Sequence, residues 1–273
     1  MEGDDKMVCP LINDKVFKYV FFHKEIQKDF LNSFLEFYDS LNINTNIIFI
    51  NAQKLIMAPQ MNVKDYYGDL IIVLDNYTLV SLEMYNGFDE FDLKKSLCYI
   101  ARIYGNQLTT NEEYSKVKKV VGITLFKDKT YKSKEILEDY ELVEKISKIK
   151  IEEGLELILI NIEKILKLHY NEDTKFIKYL KIFRSENVMG MEKYSEGDKM
   201  LEKTIEYVKE FISDPKNQKL INHEESALRN ARRIAETKGK LDVAKKMLNE
   251  GISIDIVNKC TGIDFKDLNK LLN

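Results

Sequence analysis

The sequence predicts an α/β protein in which helices flank a mixed β-sheet, followed by an extension made only of helices. Apolar residues at helical spacing alternate with short β-rich runs up to about residue 170, and from Glu172 onward the pattern is helical and charged. A chain of 273 residues is long enough for one sizeable core and an appendage. We therefore expect one domain over residues 1–170 and a helical extension over residues 171–273.

The first elements are two helices and then a hairpin. Apolar side chains recur at helical spacing through residues 13–41, which predicts two helices that cover a sheet. Three β-rich runs follow, at residues 46–50, 69–74 and 78–85. The turn-forming pair Asp75-Asn76 separates the last two runs, so these two strands are expected to form a hairpin.

A helix and two further strands complete the first domain. Helical spacing returns over residues 92–108, with Leu93, Leu97 and Tyr104 on one side and Lys95, Tyr99 and Arg102 on the other. Residues 119–126 and 155–162 are apolar runs typical of buried strands.

An acidic pair brackets the predicted hairpin. If its loop is the three residues 75–77, Leu74 faces Thr78 and, counting back, Asp69 faces Glu83. Directly opposed residues have Cβ atoms about 4.5–5.5 Å apart. Two carboxylates that close repel each other unless a cation or a shared proton lies between them.

Magnesium suits such a pair, because it accepts one or two carboxylates and completes its shell with water and substrate phosphate. The ion would polarise a phosphodiester and make a bound water more acidic. Tyr85 lies on the same strand face as Glu83, since side chains alternate along a strand.

The pattern also allows a plainer interpretation, in which Asp69 starts a strand and Glu83 is a surface residue on an edge strand. Spacing alone favours it, because acidic residues often bracket hairpins. Two features oppose it: Glu83 interrupts an apolar strand, and the next helix offers Lys95, Tyr99 and Arg102 to a phosphate backbone.

Composition narrows the class of protein. The chain has 42 basic and 45 acidic residues, a net charge of −3, so any nucleic-acid site must be a local patch. The sequence has no apolar run of membrane-spanning length, and its first residues, MEGDDKM, form an acidic segment where a signal peptide would be basic. Both observations favour a cytoplasmic protein with no membrane association. Cys9, Cys98 and Cys260 are far apart, which argues against a structural zinc site or a disulfide framework.

Several segments together resemble one known family. They are NDKVFKYVF, DFLNSFLEF, KDYYGDLIIVLDNYTLVSLEMYN, SLCYIARIYGNQLTTNEEYSKVKKVVGITLF and the C-terminal GKLDVAKKMLNEGISIDIVNKCTGIDFKDLNKLL. In this order they are similar to the recombination-promoting nuclease and putative transposase family of the PD-(D/E)XK superfamily. The resemblance implies a PD-(D/E)XK restriction-endonuclease-like fold. It also implies a Mg²⁺- or Mn²⁺-dependent DNA endonuclease linked to recombination, mobile elements or phage defence.

The resemblance also implies roles for particular residues. Asp69 and Glu83 match the metal-binding acids, and Lys64 precedes the first acid as in many relatives. Asp14 and Lys18 match an N-terminal motif near the site, where they would help to bind substrate.

One position departs from the family. The superfamily's Lys, usually Gln in this branch, falls on Tyr85, whose phenol is neutral at pH 7. Either Tyr85 would then position the water, or Lys95 would supply charge from the neighbouring helix. The alternative is a catalytically degenerate fold that acts as a DNA- or protein-binding module.

The end of the chain predicts a basic helical stretch and then two short helices. Residues 229–246 hold seven basic residues against Glu236 and Asp242, which suits either phosphate contact or a solvated helix face. Residues 252–260 and 264–272 resemble a helix-turn-helix hairpin. Because Asp264 and Asp267 would oppose DNA reading, we expect a packing or oligomerisation module, with a homodimer as one expected assembly and DNA reading as the less favoured alternative.

Overall fold

The structure is a computed structural model that describes residues 11–37, 47–52, 55–56, 66–67, 70–74, 78–108, 110–151, 154–167 and 174–271. Contacts divide the chain into two compact units, Met1–Asp214 and Pro215–Asn273. The predicted domain boundary near residue 170 stays a prediction.

The first unit contains six helices and eight strands among the described residues. The helices are α1 Asp14–Phe21, α2 Lys24–Phe37, α3 Glu90–Gly105, α4 Lys175–Arg184, α5 Val188–Ser195 and α6 Lys199–Ser213. The strands are β1 Ile47–Ala52, β2 Leu55–Ile56, β3 Tyr66–Tyr67, β4 Leu70–Leu74, β5 Leu79–Tyr85, β6 Val120–Phe126, β7 Leu137–Glu141 and β8 Leu155–Asn161. Short 3-10 helices cover Tyr114–Lys116 and Ile162–Lys167.

Six of these strands form one mixed sheet in the order β1-β4-β5-β6-β8-β7, and β2 and β3 form a separate two-stranded ladder. Strand β5 runs antiparallel to β4 and parallel to β6, and β6 runs parallel to β8. Helices cover the sheet, so the predicted mixed α/β architecture is confirmed.

The predicted hairpin is confirmed in its described residues. Leu70 pairs with Leu82 and Val73 pairs with Leu79, and the backbone N–H of Leu74 donates to the carbonyl of Thr78 at 2.9 Å. This register is the one that the sequence predicts for the hairpin. Strand β5 is an interior strand of the sheet, because β4 lies on one side of it and β6 on the other.

Strands β4, β5, β6 and β8 are largely buried on both faces of the sheet. On one face, Leu31 and Phe34 of α2 lie against Leu74, Val80 and Val121. The opposite face, which we call the α3 face, is covered by Ile100 and Ile103 of α3. Helix α3 approaches β6 closely at Gly122, where an added Cβ would lie 2.6 Å from Cγ2 of Ile100.

The start of α3 is set by a reciprocal cap. The Asp89 carboxylate accepts from the backbone N–H of Phe91 at 2.7 Å and of Asp92 at 3.0 Å, and the Asp92 carboxylate accepts from the backbone N–H of Asp89 at 3.2 Å. Such caps satisfy backbone donors that the first turn leaves without partners. They hold the helix at a defined point along the sheet.

The helices before and after the sheet share an aromatic core. The rings of Phe17, Phe21 and Phe30 pack against Phe183 of α4 at centroid distances of 5.7–6.2 Å. Polar contacts join the same helices: Lys175 pairs with Asp29 at 2.6 Å, and the Tyr179 hydroxyl donates to Asp29 at 2.7 Å. Helices α4 to α6 therefore lie in the compact unit that contains the sheet.

The second unit consists of three helices, α7 Pro215–Asn249, α8 Ile254–Thr261 and α9 Phe265–Leu271. Ala244, Val257 and Leu268 form its buried core. Gly262 ends α8 with a left-handed φ of 68°, a conformation that glycine adopts without steric cost. The predicted pair of short C-terminal helices is confirmed.

Two details differ from the sequence predictions. Strand β7 lies in the charged stretch 127–153, where no strand was predicted, because an edge strand lacks a continuous apolar signal. Leu97 was predicted on the buried side of its helix but is 44% exposed. The buried side of α3 instead contains Ser96, Tyr99 and Ile103.

We predict that Gly122→Ala destabilises the first unit by about 1–3 kcal/mol, because the new methyl group overlaps Ile100 in a tightly packed interface. Gly105→Ala is the matched control, since no atom lies within 4 Å of its Cβ position and alanine favours a helix. Chemical unfolding would measure both changes. Equal stability of the two variants would contradict the close approach of α3.

A second prediction concerns Glu25, whose pKa is lowered to about 2, chiefly because the Tyr207 hydroxyl donates a hydrogen bond to it at 2.7 Å. A carboxylate with a lowered pKa stabilises the folded protein at pH values above its usual pKa of 4.5. This contribution is lost as the pH falls toward 2. Tyr207→Phe should therefore destabilise the protein at neutral pH, with a difference from wild type that shrinks below pH 4.5. Tyr114→Phe, at a residue that is 88% exposed, should show no such difference in unfolding curves recorded across pH.

Candidate functional site

Glu83 lies in the interior of the sheet. It is 4% exposed and is paired with Thr124 in the parallel ladder between β5 and β6. The interpretation of Glu83 as a surface residue on an edge strand is therefore wrong. A carboxylate is costly to bury without compensating polar or charged groups, so its surroundings are informative.

Hydroxyl side chains share the α3 face with this carboxylate, and one of them donates a hydrogen bond to it. The Ser81 hydroxyl donates to Glu83 Oε1 at 3.3 Å, and the Thr124 hydroxyl donates to Ser96 of α3 at 3.4 Å. All three hydroxyl residues are buried. Sequence reasoning did not select them, although the period of two already placed Ser81 on the same strand face as Glu83.

Lys95 brings positive charge to the end of β5. Its ammonium nitrogen lies 4.8 Å from the centre of the Tyr85 ring and 5.5 Å from that of Tyr99. Cations are attracted to aromatic faces at these distances. The structure thus groups Tyr85, Lys95 and Tyr99, three of the predicted site residues, two positions along β5 from Glu83.

The predicted polar stripe of α3 is divided by burial. Lys95 is exposed, Arg102 is half-buried and Tyr99 is only 4% exposed. Tyr99 thus presents its ring to Lys95 from the buried side of the helix. Arg102 lies seven residues further along α3, roughly 10 Å from Lys95 along the axis.

The remaining predicted residues are placed as follows. Asp14 and Lys18 form an ion pair at 2.6 Å, one turn apart on α1, and α1 packs against β5. Asp69 and Lys64 lie outside the described residues. The chain neighbour of Asp69 is Leu70, which pairs with Leu82, the chain neighbour of Glu83.

A second group of acids lies at the edge of the sheet. Carboxylate oxygens of Asp139, Glu141 and Glu156 lie within 4.8 Å of one another, a spacing that could hold a metal ion. Sequence reasoning missed this group because it did not predict β7. Lys119 forms an ion pair with Glu156, and Lys150 with Glu141 at 2.5 Å.

These lysines already neutralise part of the acidic cluster. Burial is the main cause that raises the pKa of Glu156, against the opposing effect of Lys119. The cluster also lies on the face of the sheet that α2 covers, opposite the α3 face, since Glu156 pairs with Val121 and strand neighbours in register share a face. It is therefore separate from Glu83.

Comparison with known proteins assigns the chain to a family. No match was found among curated proteins or among solved structures. None of the described helices is both long and apolar enough to cross a membrane. A family model, described as a PD-(D/E)XK nuclease family transposase, matches residues 11–238, which include the whole six-stranded sheet. With most of its length matched and its acid on an interior strand of a mixed sheet, the chain belongs to the PD-(D/E)XK nuclease family transposases and has a nuclease- or transposase-like role.

Proposed function

We propose that the protein is a metal-dependent DNA endonuclease in which Asp69 and Glu83 hold Mg²⁺ or Mn²⁺. The observation that supports this most strongly is the burial of Glu83 on the α3 face of the sheet, beside Ser81 and Thr124. Within this family, a role linked to recombination, mobile elements or phage defence is part of the same proposal.

The proposed metal suits the donors at this site. Carboxylate and hydroxyl oxygens are the hard ligands that Mg²⁺ prefers, and Ser81 orients the Glu83 carboxylate through its hydrogen bond. The hairpin register, continued by one residue beyond the Leu70–Leu82 pair, would bring Asp69 opposite Glu83. When bound, the ion would supply Lewis acidity to a phosphodiester and a more acidic water.

The protein's own residues would do the remaining work. The Lys95 ammonium, beside the rings of Tyr85 and Tyr99, would stabilise negative charge that develops on the phosphate. The Tyr85 hydroxyl would orient the attacking water by a hydrogen bond, a role that needs no charge. Lys64, Asp14, Lys18 and Arg102 remain proposed auxiliaries in catalysis or substrate binding.

Plasmid nicking with Mg²⁺ and with Mn²⁺ tests the acid pair. We expect Glu83→Gln and Asp69→Asn each to lower the rate at least about 10³-fold, because a bound metal ion supplies several kcal/mol of stabilisation. Glu90→Gln, at an exposed acid in the first turn of α3, should cleave like the wild type.

Asp139→Asn shows which of the two acidic groups binds the metal. Under the proposal it leaves cleavage intact, because the edge cluster of Asp139, Glu141 and Glu156 lies on the other face of the sheet. Loss of cleavage in Asp139→Asn together with normal cleavage in Glu83→Gln would move the metal site to that cluster.

Lys95 has a matched control beside it. We expect Lys95→Gln to slow cleavage by roughly 10²-fold, the usual effect of removing one electrostatic stabiliser. Lys94→Gln removes the same charge from a lysine that lies over the Phe91 ring instead, at 5.5 Å, and should have little effect. Similar rates for both variants would remove Lys95 from the mechanism.

A second candidate function is favoured by Tyr85 itself. A neutral phenol at a position where the family has Gln or Lys suits a degenerate nuclease that binds DNA or protein without cutting. Under this alternative the wild type binds DNA but does not nick it with either metal, and Tyr85→Gln or Tyr85→Lys restores nicking. Nicking by the wild type would exclude it.

A further inference from the structure

The loop that follows β6 is strongly basic. Residues 127–134, which we call the β6 loop, have the sequence KDKTYKSK, with four lysines and one aspartate. Lys129, Lys132 and Lys134 are exposed, and none of them forms an ion pair with a described residue. The fourth, Lys127, is half-buried and lies 3.7 Å from Glu163.

The single acid of the loop, Asp128, accepts hydrogen bonds from the loop itself and from Phe88. The Asp128 carboxylate accepts from the backbone N–H and hydroxyl of Thr130 at 2.6 and 2.7 Å, and from the backbone N–H groups of Tyr131 and Phe88 at 3.1 and 3.2 Å. Burial alone would raise the pKa of Asp128, but these hydrogen bonds outweigh it and hold the pKa below its usual value. The charge of Asp128 therefore organises the loop's own backbone, and the lysines face solvent.

Further contacts hold the loop in one conformation. The Asn161 amide donates to the carbonyl of Asp128 at 2.8 Å, and the Lys164 ammonium donates to the carbonyl of Tyr131 at 3.3 Å. A loop whose backbone is held by neighbouring strands presents its side chains with a smaller entropy cost on binding. The lysines are thus presented from a supported surface.

A hydrogen bond joins the β6 loop to the end of β5, the strand that contains Glu83. The backbone N–H of Lys127 donates to the carbonyl of Tyr85 at 3.1 Å. The Tyr131 ring packs against Phe126 at 4.9 Å and against Phe88 at 5.6 Å, and Phe88 in turn contacts Tyr85. These aromatic residues lie in the cluster under α3, so the loop folds over the face of the sheet that holds Glu83.

The β6 loop begins a short distance along β5 from Glu83. Glu83 precedes Tyr85 by two residues, which is roughly 7 Å along a strand. Each DNA strand has one phosphate per about 3.4 Å of helix axis. A DNA strand held through a metal ion at Glu83 and running along β5 toward Tyr85 would have its next phosphates near the start of the β6 loop, where Lys127 bonds to Tyr85.

We propose that the β6 loop binds the DNA backbone through Lys129, Lys132 and Lys134, beside the phosphate that the metal ion at Glu83 would hold. This inference rests on the proposed function for its substrate and adds a binding surface to it. Lysine ammonium groups act as point charges that read no base sequence, so the surface would position DNA without selecting its sequence.

The test measures binding without cleavage. Fluorescence anisotropy of a short labelled DNA duplex is recorded with the full chain in the Glu83→Gln background, over a series of NaCl concentrations. In that background, Lys129→Gln, Lys132→Gln and Lys134→Gln are combined in one variant. The control variant combines Lys145→Gln, Lys148→Gln and Lys193→Gln, three exposed lysines outside the β6 loop that form no ion pair with a described residue.

The loop variant should bind at least about tenfold more weakly at low salt, and its slope of log affinity against log salt should fall by about 2 to 3. The control variant should keep most of the parent's affinity and slope. Equal binding by the parent and the loop variant, equal losses in both variants, or a parent that binds no DNA would each overturn the inference.

The proposed function is tested separately by metal-dependent nicking. A wild type that nicks DNA, with a loop variant that binds as well as its parent, would leave the nuclease proposal intact and reject the loop. A wild type that binds duplex through the loop but nicks nothing would support the loop and favour the degenerate alternative.

Discussion

The burial of the Glu83 carboxylate is the constraint on which the arrangement of the first unit depends. A buried acid needs polar neighbours, and the α3 face provides Ser81 on the same strand and Thr124 on the next. Helix α3 contributes Ser96 and approaches β6 closely because residue 122 is a glycine. The polar site and the tight helix–sheet packing are therefore parts of one interface.

Charge on this face is divided between a buried acid and exposed lysines. Among the described residues of this face, the buried acid is Glu83 on the sheet, while Lys95 and three lysines of the β6 loop are exposed. With a net charge of −3, the chain has no general attraction for nucleic acid, so the proposed affinity for DNA depends on such local groups. Under the proposed function, Lys95, whose ammonium lies 4.8 Å from the centre of the Tyr85 ring, would supply the positive charge that the phenol lacks.

Much of the fold could be predicted from periodicity. Apolar spacing was enough for α1, α2, β5, β6 and β8, and the turn residues were enough for the antiparallel pairing of β4 with β5. Strand β7 escaped prediction because an edge strand of mixed polarity has no strong period. The orientation of α3 was also partly missed, since Leu97 is exposed while Ser96 and Tyr99 are buried.

The sequence by itself determined the class of fold, the acid on β5 and the family, because alternation, turn chemistry and motif order are local properties of the chain. Only the tertiary structure decided that β5 is an interior strand, that Lys95 lies over the Tyr85 ring, and that the β6 loop folds onto the same face. These features join residues far apart in the chain. They depend on which strands become neighbours and how closely a helix can approach them, and periodicity does not encode either.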